Sequence, residues 1–121
     1  MHILVVDDDD DVRKLVCRML TEEGYSVAEA ANGKEAFQML RVEAAIVLVI
    51  TDLFMPEKEG METIIELKRD YPHIKILAIS GGDRTSARNY LEMAKGLGAD
   101  AVLGKPFMKN DLIKAMRNLL P

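Results

Sequence analysis

The segment Ile46-Val47-Leu48-Val49-Ile50-Thr51-Asp52 constrains this chain most. A short, unbroken apolar run is what a strand buried on both faces needs, and such strands occur in the middle of parallel sheets. The run ends at an acid. In open α/β sheets ligands bind beyond the carboxyl ends of the strands, so the other groups that reach the level of Asp52 decide what the chain does.

Ile3-Leu4-Val5-Val6 is a second wholly apolar run and ends in Asp7-Asp8-Asp9-Asp10-Asp11. Val12, Leu15, Val16, Met19 and Leu20 then follow the stripe of a helix lying on a sheet. The later acids suit its N-terminus, and Gly24 suits the position just past its end. Tyr25 to Ala30 is a weaker strand, interrupted by Glu29 and thinned by alanines, which places it at an edge. Asn32 with Glu35 resembles a capping box and opens a helix through Ala36, Phe37, Met39 and Leu40. Val42 to Ala45 fits either the end of that helix or the loop after it.

Beyond Pro56, Glu57 to Gly60 reads as a polar turn. Met61, Ile64, Ile65 and Leu67 support a helix that must end before Tyr71-Pro72. Lys75 to Ile79 is the next strand and leads into Ser80-Gly81-Gly82-Asp83. A helix is expected over about Ser86 to Leu97, then a short strand at Ala101-Val102-Leu103 leading into Gly104-Lys105-Pro106, then a helix from about Met108 carrying Leu112, Ala115, Met116 and Leu119. The order is βα repeated five times, which predicts a doubly wound parallel sheet with helices on both faces and its second and fifth strands at the edges.

With 121 residues and 30% charged, the chain reads as a single domain over 1–121. A net charge of −4 argues against direct binding of nucleic acid or of an anionic membrane. The single cysteine, Cys17, has no partner within the chain, so a reducing, cytoplasmic setting is expected. No signal-peptide pattern and no apolar stretch long enough for a membrane span is expected. His2 and His73 fit no ligand spacing.

The strand ends share one rim. Strand one brings Asp7 and Asp8, strand three Asp52, strand four Ser80 and strand five Lys105. Clustered carboxylates repel unless a cation is supplied, and a hard, oxygen-rich set suits Mg²⁺. Lys105 and the Ser80 hydroxyl can then meet the oxygens of an anion. Together they read as a receptor for a phosphoryl group, with Asp52 as the nucleophile.

In ILVVDDD, TDLFMP, ILAIS and GKPF, in this order and spacing, the whole chain resembles the CheY-like receiver domain of bacterial two-component response regulators. The resemblance implies a flavodoxin-like fold with strand order 2-1-3-4-5 and five helices. It implies that Asp52 accepts a phosphoryl group from the phosphohistidine of a sensor histidine kinase or a histidine phosphotransfer protein. Asp7 and Asp8 match the acidic pair that holds Mg²⁺, joined by Asp52 and the backbone carbonyl of Phe54. Lys105 matches the phosphate-contacting lysine and Ser80 the switch hydroxyl. The domain would then control a downstream partner or output domain, as a signalling phosphoacceptor with only self-phosphotransfer and autodephosphorylation chemistry rather than as an enzyme.

Two departures from the pattern stand out. Val102 occupies the position where the family often carries an aromatic switch residue. Phe54 and Gly82, two residues after Asp52 and Ser80, have side chains that cannot orient an attacking water, so a slow or intermediate loss of phosphoryl is expected. Two other functions compete. An aspartyl-phosphate hydrolase of small phosphoesters would need an acid at Phe54. A pseudo-receiver interaction module would have no use for the full set Asp7, Asp8, Asp52, Ser80 and Lys105.

Overall fold

The structure, a computed structural model, describes residues 2–53, 59–80 and 92–120, with residues 59 and 60 described by their backbone alone. Strand β1 (His2–Val6) leads to helix α1 (Asp10–Glu22), β2 (Ser26–Ala30), α2 (Gly33–Val42), β3 (Ile46–Asp52), α3 (Glu59–Asp70) and β4 (Lys75–Ser80). Residues 92–97 are helical and are designated α4. Strand β5 (Ala101–Gly104) and helix α5 (Lys109–Leu119) follow. The five strands form one sheet in the order β2-β1-β3-β4-β5, with every neighbouring pair parallel. The weak strand β2 and the short strand β5 are the edges.

Alternation along the central strands feeds two separate cores. Ile3, Val5, Leu48, Ile50, Leu77 and Ile79 pack with Val16 and Leu20 of α1 and with Leu112, Ile113 and Met116 of α5. Leu4, Val6, Val49, Ile76 and Ala78 pack with Ala36 and Leu40 of α2, Ile64 and Leu67 of α3 and Ala94 of α4. The continuous apolar runs of β1 and β3 are therefore explained: each face of the sheet has its own helical layer.

Local signals set the element ends. Asp9 is the N-cap of α1 and accepts from the backbone N–H groups of Asp11 and Val12, while Asp10 and Asp11 occupy the first turn. Gly24, at φ +90°, follows the C-cap Glu23, a conformation that costs glycine little. Asn32 caps α2 by accepting from the Glu35 N–H at 2.9 Å. The return contact runs from the Asn32 side-chain amide to the Glu35 carboxylate, so the pair differs from a standard capping box. The ambiguous Val42 is the last residue of α2, and Glu43 is its C-cap.

Two residues of the expected apolar helix stripes are not in the core. Leu15, placed by periodicity on the apolar stripe of α1, is 50% exposed. A helix lying on a sheet buries only the face turned toward it, and here that face is narrower than the full stripe: Val16 and Leu20 are buried, Val12 and Met19 half-buried. Ile65 of α3 is exposed for the same reason. The expected helix over Ser86 to Leu97 is seen as α4, and its earlier part lies outside the described residues, as do Pro56, Gly81 and Gly82. Among the described residues no helix is long and apolar enough to cross a membrane.

Candidate functional site

Register brings the strand ends together. Val6 of β1 lies opposite Thr51 of β3, so Asp7 emerges beside Asp52. Asp52 in turn pairs with Ile79, which puts Ser80 one step further along β4, and Ser80 pairs with Gly104. Lys105, the next residue, donates its backbone N–H to the Ser80 carbonyl at 2.8 Å. The Lys105–Pro106 peptide bond is cis.

The acids gather tightly. One carboxylate oxygen from each of Asp7, Asp8 and Asp52 lies within 4.8 Å of the others. Asp7 and Asp52 are buried and Asp8 is exposed. The Lys105 ammonium stands 3.3 Å from Asp52 Oδ2 and 3.6 Å from Asp7 Oδ2. Ser80 is fully buried at the end of the neighbouring strand. Phe54, whose carbonyl is expected at this site, lies outside the described residues.

Burial pushes the Asp7 carboxyl up from 3.8 to about 6, and the charges of Asp52 and Asp8 push in the same direction. The Asp9 N–H, which donates to Asp7 Oδ1 at 2.9 Å, and the Lys105 ammonium work against that rise without cancelling it. A carboxylate that holds its proton near neutrality for want of positive charge is one a cation would relieve. Three carboxylates around one point, without imidazole or thiolate, form a donor set that fits a hard divalent ion.

One residue the sequence reading passed over belongs here. Arg13 donates from Nη1 to the backbone carbonyl of Asp7 at 2.8 Å. Its place one turn into α1, six residues after Asp7, was the only signal, and a bond to a backbone carbonyl leaves no trace in residue type.

These features define a flavodoxin-like α/β domain with an acidic, lysine-faced site on the carboxyl rim of its sheet. The family model described as response regulator receiver domain matches residues 3–117, and the chain belongs to that family of two-component signalling domains. Response regulator MprA of Mycobacterium avium is 39% identical over 122 residues, covering 99% of this chain and 51% of that protein. Sensor kinase CckA of Brucella abortus is 35% identical over 98% of this chain and 12% of its own length. The chain thus spans about half the length of its MprA relatives. Among solved structures, the receiver domain of NtrX from Brucella abortus superposes with a TM-score of 0.89 at 29% identity, covering 98% of this chain and 97% of that one. Vibrio cholerae chemotaxis protein CheY4 gives 0.85 at 28% identity, with 98% of both chains covered.

Proposed function

We propose that residues 1–121 act as one receiver domain in which Asp52 accepts a phosphoryl group from the phosphohistidine of a sensor histidine kinase or histidine phosphotransfer protein. The observation that carries this reading is the Lys105 ammonium 3.3 Å from Asp52 Oδ2, beside two further acids. An Asp52 carboxylate oxygen attacks phosphorus opposite the imidazole nitrogen. The O–P bond forms, the N–P bond breaks, and the imidazole leaves and takes up a proton. Charge on the phosphoryl oxygens is met by the Lys105 ammonium and the Ser80 hydroxyl. Asp7, Asp8 and Asp52, with the Phe54 carbonyl, would hold Mg²⁺. When bound, that ion neutralises the acids and the phosphoryl oxygens together.

The same acyl phosphate is later lost to water, so the chemistry is self-phosphotransfer and autodephosphorylation in the service of switching. Ser80 is the hydroxyl that would move toward phosphate. Val102, half-buried against the layer of α2, α3 and α4, stands where the family often has an aromatic residue. The signal then reaches a downstream partner or output domain by a route that does not use an aromatic rotation. We place this work in the cytoplasm, without direct contact to nucleic acid or membrane.

The test is labelling by acetyl phosphate in the presence of Mg²⁺. Wild-type protein is expected to form an acid-stable, base-labile adduct, and Asp52→Asn to form none. Undiminished labelling of that variant would remove Asp52 from the role. The pseudo-receiver alternative predicts no labelling of either protein.

A further inference from the structure

Arg13 is 12% exposed, and each nitrogen of its guanidinium is engaged on a different partner. Nη1 donates to the Asp7 carbonyl at 2.8 Å, Nε to Glu29 Oε1 at 3.0 Å, and Nη2 to Asp10 Oδ1. These partners come from the end of β1, the edge strand β2 and the first turn of α1. The guanidinium therefore ties three elements at the corner where the chain leaves β1.

Asp7 is fixed from three directions at that corner. Its N–H donates to the Ala30 carbonyl at 3.1 Å, continuing the β1–β2 ladder. Its Oδ1 accepts from the Asp9 N–H at 2.9 Å. Its carbonyl accepts from Arg13. Glu29, opposite Val5 in the ladder, holds the guanidinium from the β2 side. The remaining oxygen of Asp7, Oδ2, is the one that faces Lys105. Arg13 thus acts on the site through the backbone of a ligand residue, without touching phosphate, Asp52 or Lys105.

We propose that Arg13, steadied by Glu29, is a positioning residue that fixes the Asp7–Asp8 corner for divalent-cation binding; the proposal rests on the reading of those acids as the metal site. The planar fork of arginine serves three acceptors at fixed angles, which a lysine ammonium on a flexible stem cannot do. Partners that orient metal ligands typically alter affinity by about ten- to hundredfold when removed.

The experiment uses Mn²⁺ alone as the probe, with free ion counted by electron paramagnetic resonance, on wild type, Arg13→Ala, Arg13→Lys and Glu29→Gln. A second measurement, without metal, follows hydrogen exchange of the Asp9 amide. Both Arg13 variants are expected to bind Mn²⁺ about ten- to hundredfold more weakly, Glu29→Gln to fall between them and wild type, and Asp9 exchange to accelerate in the same order. If Arg13→Ala fails to fold, Arg13→Lys and Glu29→Gln decide by the same criteria. Wild-type affinity in Arg13→Lys would reduce the residue to a mere charge and overturn the proposal, as would wild-type affinity in Arg13→Ala. If wild type itself binds no Mn²⁺, the metal-site reading fails, and unchanged Asp9 exchange in the Arg13 variants would then overturn the positioning role independently.

Discussion

The Lys105 ammonium lies between two carboxylates, 3.3 Å from Asp52 and 3.6 Å from Asp7. Two buried acids are thereby held beside each other by one partly buried cation, in the place where a divalent ion would compete with it. Lys105→Met should consequently have opposite effects on two properties. Labelling by acetyl phosphate should drop strongly, while Mn²⁺ should bind at least as tightly as to wild type. Folding stability without metal should fall by about 1–2 kcal/mol at pH 7, between the values for exposed and buried pairs. Calorimetric Mn²⁺ titration and urea unfolding of the same preparation check both statements.

Asp7 makes the site costly to fold. Its carboxyl titrates at about 6 in the folded protein against 3.8 as its ordinary value. The folded state holds the proton more tightly than the unfolded chain, so this group lowers stability as pH rises from about 4 to 6, and the loss is complete above that window. The interval corresponds to on the order of 3 kcal/mol at most. Asp7→Asn should raise the melting temperature in EDTA at pH 7 by about 5 °C, with a smaller gap at pH 5. A gap that stays constant or widens toward pH 5 contradicts this account. The same variant should lose divalent-cation affinity.

Among the described residues, the two glycines with positive φ should respond differently to alanine. At Gly24, φ +90°, an added Cβ meets open space, and Gly24→Ala should cost about 1 kcal/mol from backbone strain alone. At Gly98, φ +119°, the Cβ would stand 2.8 Å from Lys68 Cγ. Lys68 cannot yield freely, because its ammonium is 2.8 Å from Asp100 Oδ2, which also accepts from the Ile76 N–H at 2.8 Å. Gly98→Ala should therefore cost about 2–3 kcal/mol. Chemical denaturation of the two variants side by side gives the comparison, and equal losses would show that Lys68 moves aside without penalty.

Cys17 should be a poor nucleophile. It is half-buried, and burial, aided by Glu29, pushes its thiol up to about 11. Little thiolate then exists near neutral pH. Alkylation by iodoacetamide at pH 7.5 should be much slower in native protein than in urea, and equal rates would refute the assignment.

Much of this was readable from residue type and order. Asp52 and Lys105 stand at strand ends, and the strands of a parallel sheet share a direction, so apolar runs alone bring these groups to one rim. Asn32 and Gly24 announced helix boundaries by chemistry specific to those positions. What escaped the sequence depends on depth and on backbone partners. Asp7 and Asp8 are identical in type, yet only Asp7 is buried, and that burial pushes its carboxyl up to about 6. Leu15 obeys helical periodicity and is still half in solvent, since periodicity sets the direction of a stripe and not its buried width. Arg13 was missed because its target at the site is a carbonyl that every residue possesses.

Neighbouring residues of β3 belong to different layers: Val49 packs toward α2, α3 and α4, and Ile50 toward α1 and α5. Asp52 ends this same strand. A shift of the β3 backbone at that end would have two audiences at once, one on each side of the sheet. Separate partners could then read one chemical event from opposite faces, and a substitution that deafens one face would leave the other able to hear.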